Sequence, residues 1–121
     1  MRVVCCEPFP DTAAKARENL AAYGDRVEVH QVAVFDGATQ VKLHANDLKP
    51  SDSTNIAVAG VLDMLSVPLA PGGLRVPATT LDTLIEECGH VDVLKFDCEG
   101  SEYAILSTAT RLNQVSRIVC E

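Results

Sequence analysis

The chain has 121 residues, 47% of them hydrophobic and 22% charged, and carries a formal charge of −7 at neutral pH. That length accommodates one domain with a modest core, and no apolar run approaches the roughly 20 residues that span a bilayer. The ten Lys and Arg are scattered through an acidic chain, which argues against a nucleic-acid partner, because neutralising a phosphate backbone takes clustered cations.

The opening "MRVVCCEPF" has too short an apolar stretch for a signal peptide and lacks a small-residue cleavage site, so a cytoplasmic chain is expected. Five cysteines form an odd set without a C-x-x-C pair and read as reduced thiols. Taken with His30, His44 and His90 they lack the spacing of a zinc site, and no metal is expected.

In chain order, "RVVCCEP" reads as a short strand buried on both faces and stopped by Pro8 and Pro10. Residues 11–23, "DTAAKARENLAAY", are rich in helix formers, and Gly24 is placed to end that helix in a left-handed conformation. "RVEVHQVAVF" reads as a second strand, and "DGATQVKLHA" as a turn with a shorter strand. Signals weaken over about 46–74, where a long, partly irregular insertion is expected; such loops in compact domains are usually functional or mobile. In "RVPATTLDTLIEECG" an extended piece leads into a helix. Thr79 and Asp82 have capping-box spacing, Leu81, Leu84, Ile85 and Cys88 share a face, and Gly89 is the stop. "VDVLKFDCEGSEYAIL" supplies a third strand and helix, and "SRIVCE" a fourth strand.

Strands alternating with helices predict an α/β fold, with a mostly parallel sheet covered by helices on both faces and ligands bound at the carboxyl ends of its strands. Acids fall at those ends: Glu7, Asp36, Asp97 with Glu99, and Glu121. Each alone suits a helix N-cap or a solvated loop, but their collection at one rim points to a site. Lys95 is a sharper anomaly. With period two it shares a face with Val93 and Asp97, so a lysine is carried into a helix-covered sheet. Either it pairs locally with Asp97 and reaches out along its stem, or it and the acids hold a ligand-facing geometry.

The segment "VPATTLDTLIEECGHVDVLKFDCEGSEYAIL" resembles the central signature of the FkbM family of S-adenosylmethionine-dependent methyltransferases. The matching positions are Thr80, Leu81 and Asp82, then Asp92, Leu94, Lys95, Asp97, Glu99, Gly100 and Glu102. Upstream, Glu7-Pro8, Pro10, Asn19 and the Val32-Ala33 step are similar to the preceding part of the same family. The resemblance covers nearly the whole chain apart from the poorly patterned middle.

The resemblance implies a Rossmann-like methyltransferase domain that uses S-adenosylmethionine, acting on a small-molecule, sugar or lipid hydroxyl. In it Glu7 would accept hydrogen bonds from the ribose diol, the backbone of Ala33 and Val34 would border the adenine, and Asp97 would lie near the methionine end. Asp97 and Glu99 are the candidate catalytic bases. A dinucleotide-type fold places its Gly-rich turn about 20 residues before the ribose acid. Glu7 is only the seventh residue, so the first strand with its Gly-rich loop, and the strands beyond Glu121, are expected to be missing. The 121 residues then form a single truncated domain with an incomplete sheet, whose open apolar edges favour a homodimer or other homo-oligomer. A non-catalytic domain serving self-assembly or partner binding is the alternative function. A nicotinamide-linked oxidoreductase shares the ribose acid but does not explain the pattern from Lys95 to Glu102.

Overall fold

The computed structural model describes residues 1–44, 56–59, 74–98 and 101–120. At the N-terminus, β1 (Val3–Cys6) and β2 (Val27–His30) form a parallel pair in which Val3 lies opposite Val27 and Cys6 opposite His30. Their crossover is α1 (Pro10–Leu20), which starts where Phe9 is still extended and Pro10 supplies a preset φ in the first turn. A 3-10 segment, Ala21–Arg26, follows, and Gly24 takes φ 56° within it, a backbone state that a side chain disfavours. On the surface, the Arg2 guanidinium lies 2.7 Å from Glu28 Oε1 and holds that carboxyl below its usual range.

The second strand is broken in two. Glu7 N–H donates to His30 O at 3.0 Å, and the next amide on that side of the strand, Phe9 N–H, is taken by Glu7 Oε1 at 2.8 Å instead of continuing the ladder. Past His30 the chain therefore takes a different partner: β3 (Ala33–Phe35) pairs in parallel with β6 (Leu74–Thr80), Ala33 opposite Ala78. The other edge of β6 is antiparallel to β4 (Gln40–His44), which is antiparallel to β5 (Ile56–Ala59). This second sheet has the order β3-β6-β4-β5. A third sheet pairs β7 (Leu94–Phe96) in parallel with β8 (Ile118–Cys120), extended backwards by a bridge between Val91 and Val115. The fold is mixed α/β with small sheets, and the described strands do not merge into the single, mostly parallel sheet expected. Of the insertion at 46–74, only the backbone of β5 and the first residue of β6 fall among the described residues.

Two α-helices, α2 (Leu81–Cys88) and α3 (Glu102–Thr108), and a 3-10 turn, Leu112–Gln114, complete the described structure. One core gathers Ala33, Phe35, Val41, Leu43 and Val76, with Phe9 and Ala104 against it. The other gathers Leu81, Ile85, Phe96 and Ile105, with Val34 and Leu94 against it. Alternation along β3 explains the division: Ala33 and Phe35 point one way and Val34 the other, so three residues form a wall shared by both cores. On α2, Leu81 and Ile85 are buried, whereas Cys88, expected on the same face, is exposed.

Lys95 is not carried into a covered sheet. Leu94 and Phe96 turn toward α2 and α3, and the opposite face of β7 and β8 is open: Lys95 is exposed there, with Val93 at 55% and Val119 at 40% exposure. Among the described residues, helices cover one face of this pair rather than two, and the exposed Lys95 avoids the desolvation cost anticipated for its ammonium.

The start of α2 also differs from expectation. Thr80, not Thr79, is the N-cap, its Oγ1 accepting from Thr83 N–H at 3.1 Å. Asp82 reaches across to the loop after α3, accepting from Thr110 N–H at 3.0 Å, Thr110 Oγ1 at 2.6 Å and Arg111 N–H at 3.0 Å. These donors, the Thr110 hydroxyl foremost, lower the Asp82 pKa. A carboxyl whose pKa is depressed by folding adds stability above its unfolded pKa and loses it as pH falls through the folded value. Asp82→Ala is therefore expected to lower Tm by several degrees at neutral pH. In thermal unfolding followed across an acid series, the gap to the unmodified protein should close.

Candidate functional site

Two strands, β1 and β7, each parallel to its own partner, run into an acid. After β1, Pro8 leaves Phe9 as the first residue with a free amide. The Glu7 side chain folds over its own turn to meet it, Oε1 accepting from Phe9 N–H at 2.8 Å. The bond is a longer-armed version of the turns that short polar side chains make with the backbone two residues on. It fixes the carboxylate beside the start of α1 and occupies one oxygen. Oε2 makes no hydrogen bond to the described residues.

After β7, Asp97 is exposed and Cys98 half-buried. Cys98 N–H donates to Glu102 Oε1 at 2.8 Å, and Cys98 O accepts from Ser101 N–H at 3.2 Å. Ser101, a buried polar residue at 6% exposure, passes the connection on, its O accepting from Ile105 N–H at 3.1 Å. Both main-chain polar groups of Cys98 are thus tied to the first turn of α3.

The flanking thiols are poor nucleophiles. Burial is the chief reason that Cys6 is pushed up to about 11, reinforced by Cys5, Cys88, Cys98 and Glu87. The Cys98 pKa is also raised, chiefly by burial and further by Glu102 and Asp97, against the opposing Asp97 amide. Both remain protonated at neutral pH, and the thiolate is the reactive form.

The Ala33 side chain is in the first core and Val34 packs on the second, so β3 offers its backbone rather than these side chains to a ligand. Among the described strands β3 pairs on one side only. Packing joins the three candidate segments through neighbours: Phe9 rests on the core that holds Ala33 and Phe35, and Val34 shares the other with Phe96. No hydrogen bond or ion pair among the described residues joins Glu7 to Asp97. Glu99 and Glu121 lie outside the described residues. Sequence reasoning missed the Glu102 contact, although an acid just past the Gly100-Ser101 step at the head of a helix was the available signal.

Compared with protein-family profiles, residues 1–121 match the Methyltransferase FkbM domain. The chain belongs to this family. No curated protein and no solved structure gives a significant match. The FkbM family generally uses S-adenosylmethionine, and the donor set of this FkbM domain suits that group: a carboxylate oxygen at a strand end for a vicinal diol, and a second carboxylate for a sulfonium cation. No helix among the described residues is long and apolar enough to cross a membrane.

Proposed function

We propose that this FkbM domain transfers a methyl group from S-adenosylmethionine to the hydroxyl of a small molecule, sugar or lipid. The observation that carries the reading is Glu7 at the exit of β1, one oxygen held by Phe9 N–H and the other without a hydrogen bond among the described residues, in a chain whose residues 1–121 the family model matches. A carboxylate already oriented by its own turn accepts from a ribose hydroxyl without first losing rotamer freedom. The backbone of Ala33 and Val34 borders the adenine, and Asp97 faces the methionine end. The cofactor supplies an activated methyl group on a cationic sulfur. The chain's own part is to hold that sulfur and the acceptor oxygen in line, and Asp97 or Glu99 accepts the hydroxyl proton.

Titration calorimetry with S-adenosylmethionine or its demethylated product tests this. Binding by the unmodified protein, weakened at least tenfold in Glu7→Ala, is the expected result. No heat at millimolar ligand would favour a second reading, a non-catalytic domain that serves self-assembly or partner binding. Apolar side chains on the small parallel sheets support that alternative: Val3, Ile118 and Val119 are exposed on strands that pair on one side only among the described residues, and Val93 is exposed just before β7. Self-association into a homodimer or other homo-oligomer is expected under either reading. A sedimentation mass that stays monomeric across the micromolar range would contradict it.

A further inference from the structure

We infer that Glu102 is a positioning residue, which sets the direction of the Asp97 side chain by clamping the peptide bond that follows it. The inference rests on the methyl-transfer reading for what Asp97 does, but not for the clamp itself. Asp97 sits between two fixed points. Before it, Phe96 is buried in the second core and lies opposite Cys120 in the β7–β8 register. After it, Cys98 N–H is held by Glu102 Oε1 at 2.8 Å.

That N–H lies in the same rigid plane as the Asp97 carbonyl, because a peptide unit moves as one body. The ladder at Phe96 constrains the peptide entering Asp97, and the Glu102 bond constrains the peptide leaving it. Together they restrict both soft dihedrals of Asp97 and hence the direction of its Cα–Cβ bond. An exposed strand-end residue otherwise lacks such restraint, since core packing does not reach it. Ser101 N–H on Cys98 O closes the same turn from the other side.

Glu102 itself stands on firm ground. It is the first residue of α3, next to buried Ser101 and three positions before buried Ile105, so the helix that carries it is anchored in the second core. One oxygen of its carboxylate turns back to the strand, and the N-cap residue of the helix makes no side-chain cap bond. A charged acceptor makes a stronger bond to an amide than a neutral one. The FkbM domain thus uses one acid, Glu102, to aim another, Asp97.

The test is amide hydrogen exchange at Cys98 in the full chain and in Glu102→Gln and Glu102→Ala, with calorimetry against S-adenosylhomocysteine on the same samples. Gln keeps the acceptor oxygen and Ala removes it. Cys98 exchange is expected to rise about tenfold or more in Glu102→Ala and to stay within about threefold in Glu102→Gln. The dissociation constant should follow the same order, about tenfold weaker in Ala and near the unmodified value in Gln. Equal Cys98 exchange in all three proteins overturns the clamp, and altered exchange with equal affinities overturns its role in aiming Asp97. If Ala unfolds, the Gln variant decides alone: exchange and affinity close to those of the unmodified protein support the clamp, and a tenfold change in either overturns it. An unmodified protein that binds no ligand refutes the methyl-donor reading, while the exchange contrast still decides the clamp.

Discussion

Replacing Asp97 by Asn is expected to slow methyl transfer at least 100-fold while moving Tm by no more than a degree or two. Asp97 is exposed and contributes nothing to either core, so the substitution keeps its shape at little cost to folding. Under the proposed function it removes a negative charge directed at the cationic sulfur and the basicity needed to take a hydroxyl proton. A positioned general base contributes about 10²–10⁴-fold, and an amide cannot take its place. The measurement is release of S-adenosylhomocysteine over a panel of sugar and lipid hydroxyl acceptors. Unchanged turnover in Asp97→Asn would remove Asp97 from the mechanism and leave Glu99 as the candidate base.

The largest expected effect on stability is at Ile85. It is 1% exposed and packs with Leu81, Phe96 and Ile105. Truncating a buried Ile to Ala costs about 2–5 kcal/mol, through lost transfer energy and the cavity left behind. Domains of this kind hold about 5–15 kcal/mol in total, so Ile85→Ala removes a large share and is expected to lower the urea midpoint accordingly. Val93→Ala is the control: on the open face of the β7–β8 pair, at 55% exposure, it should change stability by roughly 0.5 kcal/mol or less. Because Phe96 belongs to the same cluster and directly precedes Asp97, Ile85→Ala should also loosen the end of β7. A variant that unfolds like the unmodified protein would mean that α2 is not the lid of this core.

Local elements were legible because their signals are local. Pro10 and the helix-forming run after it located α1. Gly89, at φ 79° and with its N–H bonded to Ile85 O, ends α2 as anticipated. The strand-to-helix passage through Asp97 was visible in its apolar and acidic pattern, and the family was recognisable from the residues around Lys95 and Glu102.

What periodicity could not show was partnership. "RVEVHQVAVF" has the pattern of one strand, yet on the neighbouring strand the amide that would extend the ladder, Phe9 N–H, is held by Glu7 Oε1, and the second half joins β6 instead. Lys95 looked costly because both faces of its strand were assumed covered, an assumption about neighbours and not about Lys95. Asp82 was read as a local cap, whereas its partners, Thr110 and Arg111, lie nearly 30 positions away. The roles of Glu7 and Glu102 as turn-holders were obscured for a related reason: a carboxylate at a strand end suits a ligand and a backbone amide equally well, and only geometry distinguishes them.

Under the proposed function, the acids ending β1 and β7 serve one pocket for a methyl donor. The direct measurement is a two-dimensional amide NMR titration of the full chain with S-adenosylhomocysteine. The Glu7, Phe9, Asp97 and Cys98 amides are expected to shift together along one saturation curve, and Glu7→Ala to displace that curve to higher ligand concentration for all four. Shifts confined to one of the two strand ends, or none at millimolar ligand, would contradict it.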